Sequence, residues 1–200
     1  MSQSMDSALM PFDATRPDDV RFIWDALEAT ARLVQIDRNR LCATGFSGGG
    51  RMLSLLASEL ALAVIAPVGG LRGPAEPPPS RPVHVIAFHG LDDPVNPYGG
   101  GGPPYWRRGV EDAVQAWVEH NGLESSPRIM RVSPSVTRTG YGVHGPRVLL
   151  YQIEDLGHQW PGSSVDIGEQ FGPVNGALCA TGCMFEYFAH TVVPEGPHPR

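Results

Sequence analysis

The stretch Gly45-Phe46-Ser47-Gly48-Gly49 constrains this chain more than any other. It follows an apolar run, Arg40-Leu41-Cys42-Ala43-Thr44, and precedes a segment from Gly50 to Leu60 that reads as helix. Gly-x-Ser-x-Gly between a strand and a helix is a turn so sharp that the serine backbone is strained and its hydroxyl is pushed out of the sheet. Glycines two before and two after are expected because a Cβ at either position would meet the neighbouring strand or helix. In a chain with 24 glycines among 200 residues, the same five letters also fit a plain Gly-rich turn. The rest of the sequence has to decide.

Two hundred residues with 42% hydrophobic content suit one domain with a sizeable core. The net charge of −6 argues against a nucleic-acid partner and against an anionic membrane surface. All 15 basic residues are arginine, a compositional bias that carries no functional information. Cys42 lies in the apolar run before the turn and reads as a buried free thiol. Cys179 and Cys183, four apart, have no second ligand pair at metal-site spacing, so no metal or other cofactor is expected. No stretch reaches transmembrane length. Met1 to Phe12 lacks the basic-then-apolar pattern of a signal peptide. The expected compartment is cytoplasmic if Met1 is the true start and secreted if residues precede it.

Taken in order, residues 1–14 read as a loose lead-in, 15–193 as one domain and 194–200 as a tail. Thr15-Arg16-Pro17-Asp18 is a helix start with Thr15 as cap. Val20, Ile23, Trp24, Leu27, Ala31 and Val34 then form one apolar stripe. Ala63 to Val68, Val83 to Phe88 and Val148 to Ile153 are apolar strand runs, and residues 127–137 fit a strand with a poorer pattern. Tyr98 to Pro104 reads as a flexible glycine-rich rim loop, with Tyr98 and Trp106 as an aromatic rim. Arg107 to Asn121 and about Cys179 to His190 read as helices. Continuous apolar strands alternating with helices predict an α/β fold with a mostly parallel sheet covered on both faces.

In such a sheet, functional side chains sit in loops after the strand ends. Ser47 follows the first strand, Asp92-Asp93 the third and His158 the last. Nucleophile, acid and base thus arrive in the order that the α/β-hydrolase architecture imposes. The three residue types are needed together. A serine hydroxyl is a poor nucleophile until a neutral imidazole takes its proton, and the imidazole needs a carboxylate to fix its tautomer. By pattern alone Asp92 and Asp93 are tied. His89 reads as a strand-end residue that fixes the Asp loop, and His84 as a satisfied core histidine. Trp160 fits either a substrate-pocket wall or packing beneath the His158 loop. Gly45 to Gly50 lacks the Lys-Ser/Thr of a phosphate loop, and Gly140 to Gly145 opens no helix, so nucleotide binding is not expected.

Three motifs in series carry a resemblance. They are Asp37-Arg38-Asn39-Arg40-Leu41 leading to Gly45-Phe46-Ser47-Gly48-Gly49, His89-Gly90-x-x-Asp93-Pro94-Val95-x-Pro97-Tyr98, and Gly157-His158-x-Trp160-Pro161-Gly162. With the closing Phe185-Glu186-Tyr187-Phe188, they resemble the polyhydroxybutyrate depolymerase and feruloyl/acetylxylan esterase group of the α/β-hydrolase superfamily. The resemblance implies Ser47 as nucleophile, Asp93 rather than Asp92 as triad acid, His158 as base and Gly48 N–H as an oxyanion donor. It implies feruloyl, acetyl or short hydroxyalkanoate esters as substrates. A second oxyanion donor is expected from a His-Gly-type loop on an earlier strand, and only one helix and a lead-in precede the Ser47 strand here. The N-terminal strands of the hydrolase sheet are therefore expected to be missing. That leaves an apolar edge beside Ser47 for a partner, such as a second copy, to cover. Two other readings stay open: a serine peptidase of the same architecture, and a non-catalytic remnant acting as a binding or partner-dependent subunit.

Overall fold

The structure is a computed structural model that describes residues 18–145 and 147–191. Its strands are β1 (Cys42–Phe46), β2 (Val64–Val68), β3 (His84–Gly90), β4 (Arg128–Ser133), β5 (Val136–Tyr141) and β6 (Val148–Ile153). Its helices are α1 (Asp19–Ala31), α2 (Gly48–Glu59), α3 (Val110–His120) and α4 (Ala180–His190). The continuous apolar runs lie side by side, because a strand buried on both faces needs apolar residues at every position. They form the parallel block β1-β2-β3-β6. Past β6 the sheet continues with β5 and β4, both paired antiparallel. The sheet is thus mixed, and the expectation of a mostly parallel sheet holds only on one side. Pro134-Ser135 between β4 and β5, and residues 142–147 between β5 and β6, are too short for the crossover that parallel neighbours require.

Alternate residues of the parallel strands feed two cores. Ile65, Val85, Ala87, Val148 and Leu150 pack against Leu53 and Leu56 of α2 and Val114 and Trp117 of α3. Val64, Ala66, Val68, Ile86, Phe88 and Ile153 pack against Met184 of α4 on the other face. Helices on both faces of the sheet make this an α/β fold. β3, between β2 and β6, is buried at every residue, and its C-terminal end delivers the Asp loop.

The N-terminal side differs from expectation. Helix α1 is capped by Asp18, whose carboxylate accepts from Arg21 N–H at 2.9 Å, while Thr15 to Pro17 lie outside the described residues. No residue of α1 is buried, and of its apolar stripe only Val20 and Ile23 touch the core. Trp24 and Val34 remain 36% and 56% exposed. Among the described residues β1 is an edge strand, nowhere fully buried, so α1 has little sheet to pack on. For the same reason Cys42 is only part-buried.

Helix α3 starts at Val110 and not Arg107, because the carbonyls of Arg107 and Trp106 accept from Gly101 and Gly102 N–H. The glycine run is therefore a hydrogen-bonded turn, not a loose one. Cys179 caps α4, its sulfur accepting from Gly182 N–H at 3.4 Å.

His84 couples the fold to pH. Its Nδ1 lies 2.8 Å from the Tyr187 hydroxyl, and its buried Nε2 has no partner among the described residues. Burial first, then the nearby Arg147, pushes its pKa down from 6.5 to about 4. Between those values the unfolded chain binds the proton and the folded chain does not. Stability is therefore full above pH 6.5 and falls as pH drops towards 4. We expect a loss on the order of 1–2 kcal/mol from this residue once solvent screening is allowed for. His89, whose pKa burial also lowers, adds to the same slope. Urea unfolding between pH 7 and 4.5 should show a shallower pH dependence in His84→Gln than in the wild type. Equal slopes would remove His84 from this account.

Candidate active site

Ser47 joins β1 to α2 at φ 53° and ψ −113°, a region that a residue with a Cβ adopts only when its surroundings force it. Its N–H donates to Val68 O on β2, and its carbonyl accepts from Arg51 N–H inside α2. Although it stands at the helix cap position, its hydroxyl makes no cap hydrogen bond, so the oxygen is not committed to the helix. The glycines explain how the turn closes. A Cβ on Gly45 would lie 2.5 Å from the Gly49 carbonyl carbon, and one on Gly50 would lie 3.1 Å from Gly70 Cα. Gly49 meets nothing within 4 Å. The expectation that both motif glycines prevent a collision is therefore corrected. Gly45, Gly50 and Gly70 hold the close approach, and Gly49 faces open space.

The loop after β3 brings Asp93, not the exposed Asp92, to His158. His158 Nδ1 and Asp93 Oδ2 are 2.7 Å apart, and both side chains are almost fully buried. The other carboxylate oxygen accepts from Val95 N–H at 2.9 Å and Asn96 N–H at 2.7 Å. With Nδ1–H donating to the carboxylate, His158 Nε2 keeps its lone pair and can take a proton. His89 stands behind this pair. Its Nε2 is 2.8 Å from Asn96 O and 3.5 Å from Asp93 Oδ2, and burial holds the ring in its neutral form.

Gly69 ties the serine turn to the pair. It follows Val68, the acceptor of the Ser47 N–H, and a Cβ there would lie 3.4 Å from the His158 ring and 3.6 Å from Asp93 Oδ2. From the Ser47 side, Phe46 packs on His158 with ring centroids 4.9 Å apart. The three strand-end segments thus converge at one end of the parallel block.

Other residues singled out by the sequence take different places. Gly48 is exposed at the first turn of α2. Trp160 donates its indole N–H to Thr181 on α4 at 3.0 Å and meets Phe46 edge-on, which pins the His158 loop to the helix below. Trp106, expected on an aromatic rim, is buried and stacks on His89, with its N–H donated to Pro97 O. Tyr98 is half-buried behind the Asp loop, where its hydroxyl accepts from Gln152 and donates to Glu111. Burial, then the Glu111 carboxylate, raises its pKa well above the usual phenol value.

Three supports were not anticipated. Asn96 donates its amide to Gly69 O at 2.6 Å, joining the Asp loop to the turn after β2. Buried Gln159 bonds Asp166, Gly172 O and Ile167 N–H and so braces the His158 loop. Gly69, directly after β2, is the third. The adjacency of Asn96 to the Asp motif and of Gln159 to His158 was the available signal. Among the described residues no group of three or more His, Cys, Asp or Glu side chains is placed to hold a metal ion.

No family model matches the chain. It is 28% identical to the protein named "Putative esterase NocK" from Nocardia uniformis subsp. tsuyamanensis, over 74% of this chain and 51% of that protein. It is also 28% identical to the protein named "Feruloyl esterase B" from Piromyces equi, over 57% of this chain and 24% of that protein. Both of these relatives carry an esterase name. The chain spans about half the length of the first relative and about a quarter of the second.

Proposed function

We propose that this chain is a serine carboxylic-ester hydrolase of the polyhydroxybutyrate depolymerase and feruloyl/acetylxylan esterase kind. One observation carries the reading above all: a buried 2.7 Å His158–Asp93 hydrogen bond beside a serine on a strained strand–helix turn. In this reading His158 Nε2 takes the Ser47 proton as Oγ attacks the ester carbonyl carbon. Gly48 N–H, at the positive end of the α2 dipole, donates to the oxyanion that forms. The carbonyl re-forms as the alkoxide leaves, and His158 returns the proton to it. Water then attacks the acyl-enzyme by the same route, releasing the acid and restoring Ser47. Feruloyl, acetyl and short hydroxyalkanoate esters are the substrate classes to test.

The test is hydrolysis of p-nitrophenyl acetate and methyl ferulate beside an aminoacyl p-nitroanilide. Turnover of the esters, lost in Ser47→Ala by about 10⁴-fold or more, supports the reading. Cleavage of the anilide in preference would make the protein a peptidase, and no difference between wild type and variant would sink the enzyme.

A second, partner-dependent reading is favoured by one feature: among the described residues β1 is an edge strand, and Phe22, Leu33 and Val34 in and after α1 are 71%, 84% and 56% exposed. An unpaired strand beside apolar surface is a template for association. A second copy pairing along β1 would cover it, and light scattering would then give twice the chain mass.

A further inference from the structure

A cavity of about 200 Å³ opens between α2, residues 71–76 and residues 105–109, one helical turn from Ser47. Four arginines line it, Arg51, Arg72, Arg107 and Arg108, against two acids, Glu76 and Asp112. One Asp112 oxygen is already engaged by Gly109 N–H at the start of α3. Arg72 donates to Tyr105 O, and among the described lining residues arginines outnumber acids.

Arg51 connects this cavity to the serine turn. Its N–H donates to Ser47 O, and a guanidinium nitrogen reaches within 3.6 Å of where a Cβ on Gly48 would sit. The guanidinium lies over the Tyr105 ring at 4.4 Å, a stacking that holds it in place without neutralising it. Among the described residues Arg51 forms no ion pair, and it is half-buried. A fixed, partly desolvated guanidinium with no carboxylate of its own is best satisfied by a planar anion binding through two parallel N–H donors.

We propose that this cavity takes a carboxylate borne by the ester substrate and that Arg51 is the specificity-determining residue. The inference rests on Ser47 being the nucleophile of an esterase. An ester carbonyl at Ser47 would place a carboxylate a few bonds along the substrate chain beside Arg51. Substrates of this class are half-esters of dicarboxylic acids or esters of acidic sugars, and a neutral group of the same length would leave the guanidinium desolvated and unpaired.

The experiment compares mono-p-nitrophenyl adipate with neutral p-nitrophenyl hexanoate in wild type, Arg51→Gln and Arg51→Lys. Circular dichroism checks the fold of each variant. The charged-over-neutral ratio of kcat/KM should fall about ten- to a hundred-fold in Arg51→Gln. Arg51→Lys, which keeps the charge but loses the planar fork, should fall in between. A ratio within about twofold of wild type would overturn the proposal, as would equal loss on both esters, which would mark Arg51 as a general oxyanion-side group. If wild type cleaves neither ester, the esterase reading itself fails, and calorimetric titration with adipate still decides the cavity. Binding to wild type that is abolished in Arg51→Gln supports the carboxylate site, and absent or unchanged binding overturns it.

Discussion

Asp93→Asn should lower turnover of an activated ester about ten-thousand-fold while the protein stays folded. The size of the effect follows from the hydrogen bonds around the carboxylate. One oxygen accepts from the Val95 and Asn96 N–H groups, and an asparagine keeps those bonds by placing its carbonyl oxygen there. Its amide nitrogen then faces His158 Nδ1 across the 2.7 Å contact and can only donate. Nδ1 must become the acceptor, so the imidazole proton moves to Nε2. The nitrogen that should take the Ser47 proton is then already protonated. Steady-state kinetics should show the loss in kcat with little change in KM, beside a cooperative unfolding transition in both proteins. A loss of tenfold or less would mean that His158 does not need this carboxylate. The corresponding change at exposed Asp92 should have little effect on kcat.

Gly45→Ala should prevent stable folding or cost about 3 kcal/mol. The added Cβ would lie 2.5 Å from Gly49 C and 2.8 Å from Gly50 N, backbone atoms of the first turn of α2 that have nowhere to go. Relief requires α2 to move off β1, and with it the Ser47 turn, so activity should fall with stability. Gly49→Ala is the contrast, since its Cβ meets nothing within 4 Å and alanine is the better helix former. Urea unfolding should give that variant stability equal to the wild type or up to about 1 kcal/mol higher. Two glycines in one motif, four residues apart, should thus behave oppositely. Similar midpoints for both variants would contradict the close packing described at Gly45.

Much of this was legible because the signals are local. β2, β3 and β6 announce themselves as continuous apolar runs, and those runs are the buried middle of the sheet. The Asp93 and His158 segments follow β3 and β6 and the Ser47 turn follows β1, so with these strands parallel all three segments lie at one end of the sheet. β4 was legible only as a poor strand pattern, because Ile129, Met130 and Val132 are all exposed and interleaved with arginines, leaving neither face apolar. The stacking of Trp106 on His89 and the bond from Asn96 to Gly69 join distant segments, and no spacing encodes them. The apolar stripe of α1 was legible as a pattern but its burial was not, since what covers a helix depends on its neighbours and among the described residues β1 is an edge. The mixed sheet was hidden for a related reason: strand direction in β5 is set by the length of the connections, not by the strand's own residues.

The most direct test of the central claim is covalent titration of the serine. A p-nitrophenyl alkylphosphonate mimics the tetrahedral intermediate and reacts only with an activated nucleophile. The account predicts release of about one p-nitrophenolate per chain, with the added mass on the peptide containing Ser47 and none in Ser47→Ala. No release, or an adduct on another residue that persists in Ser47→Ala, would contradict it.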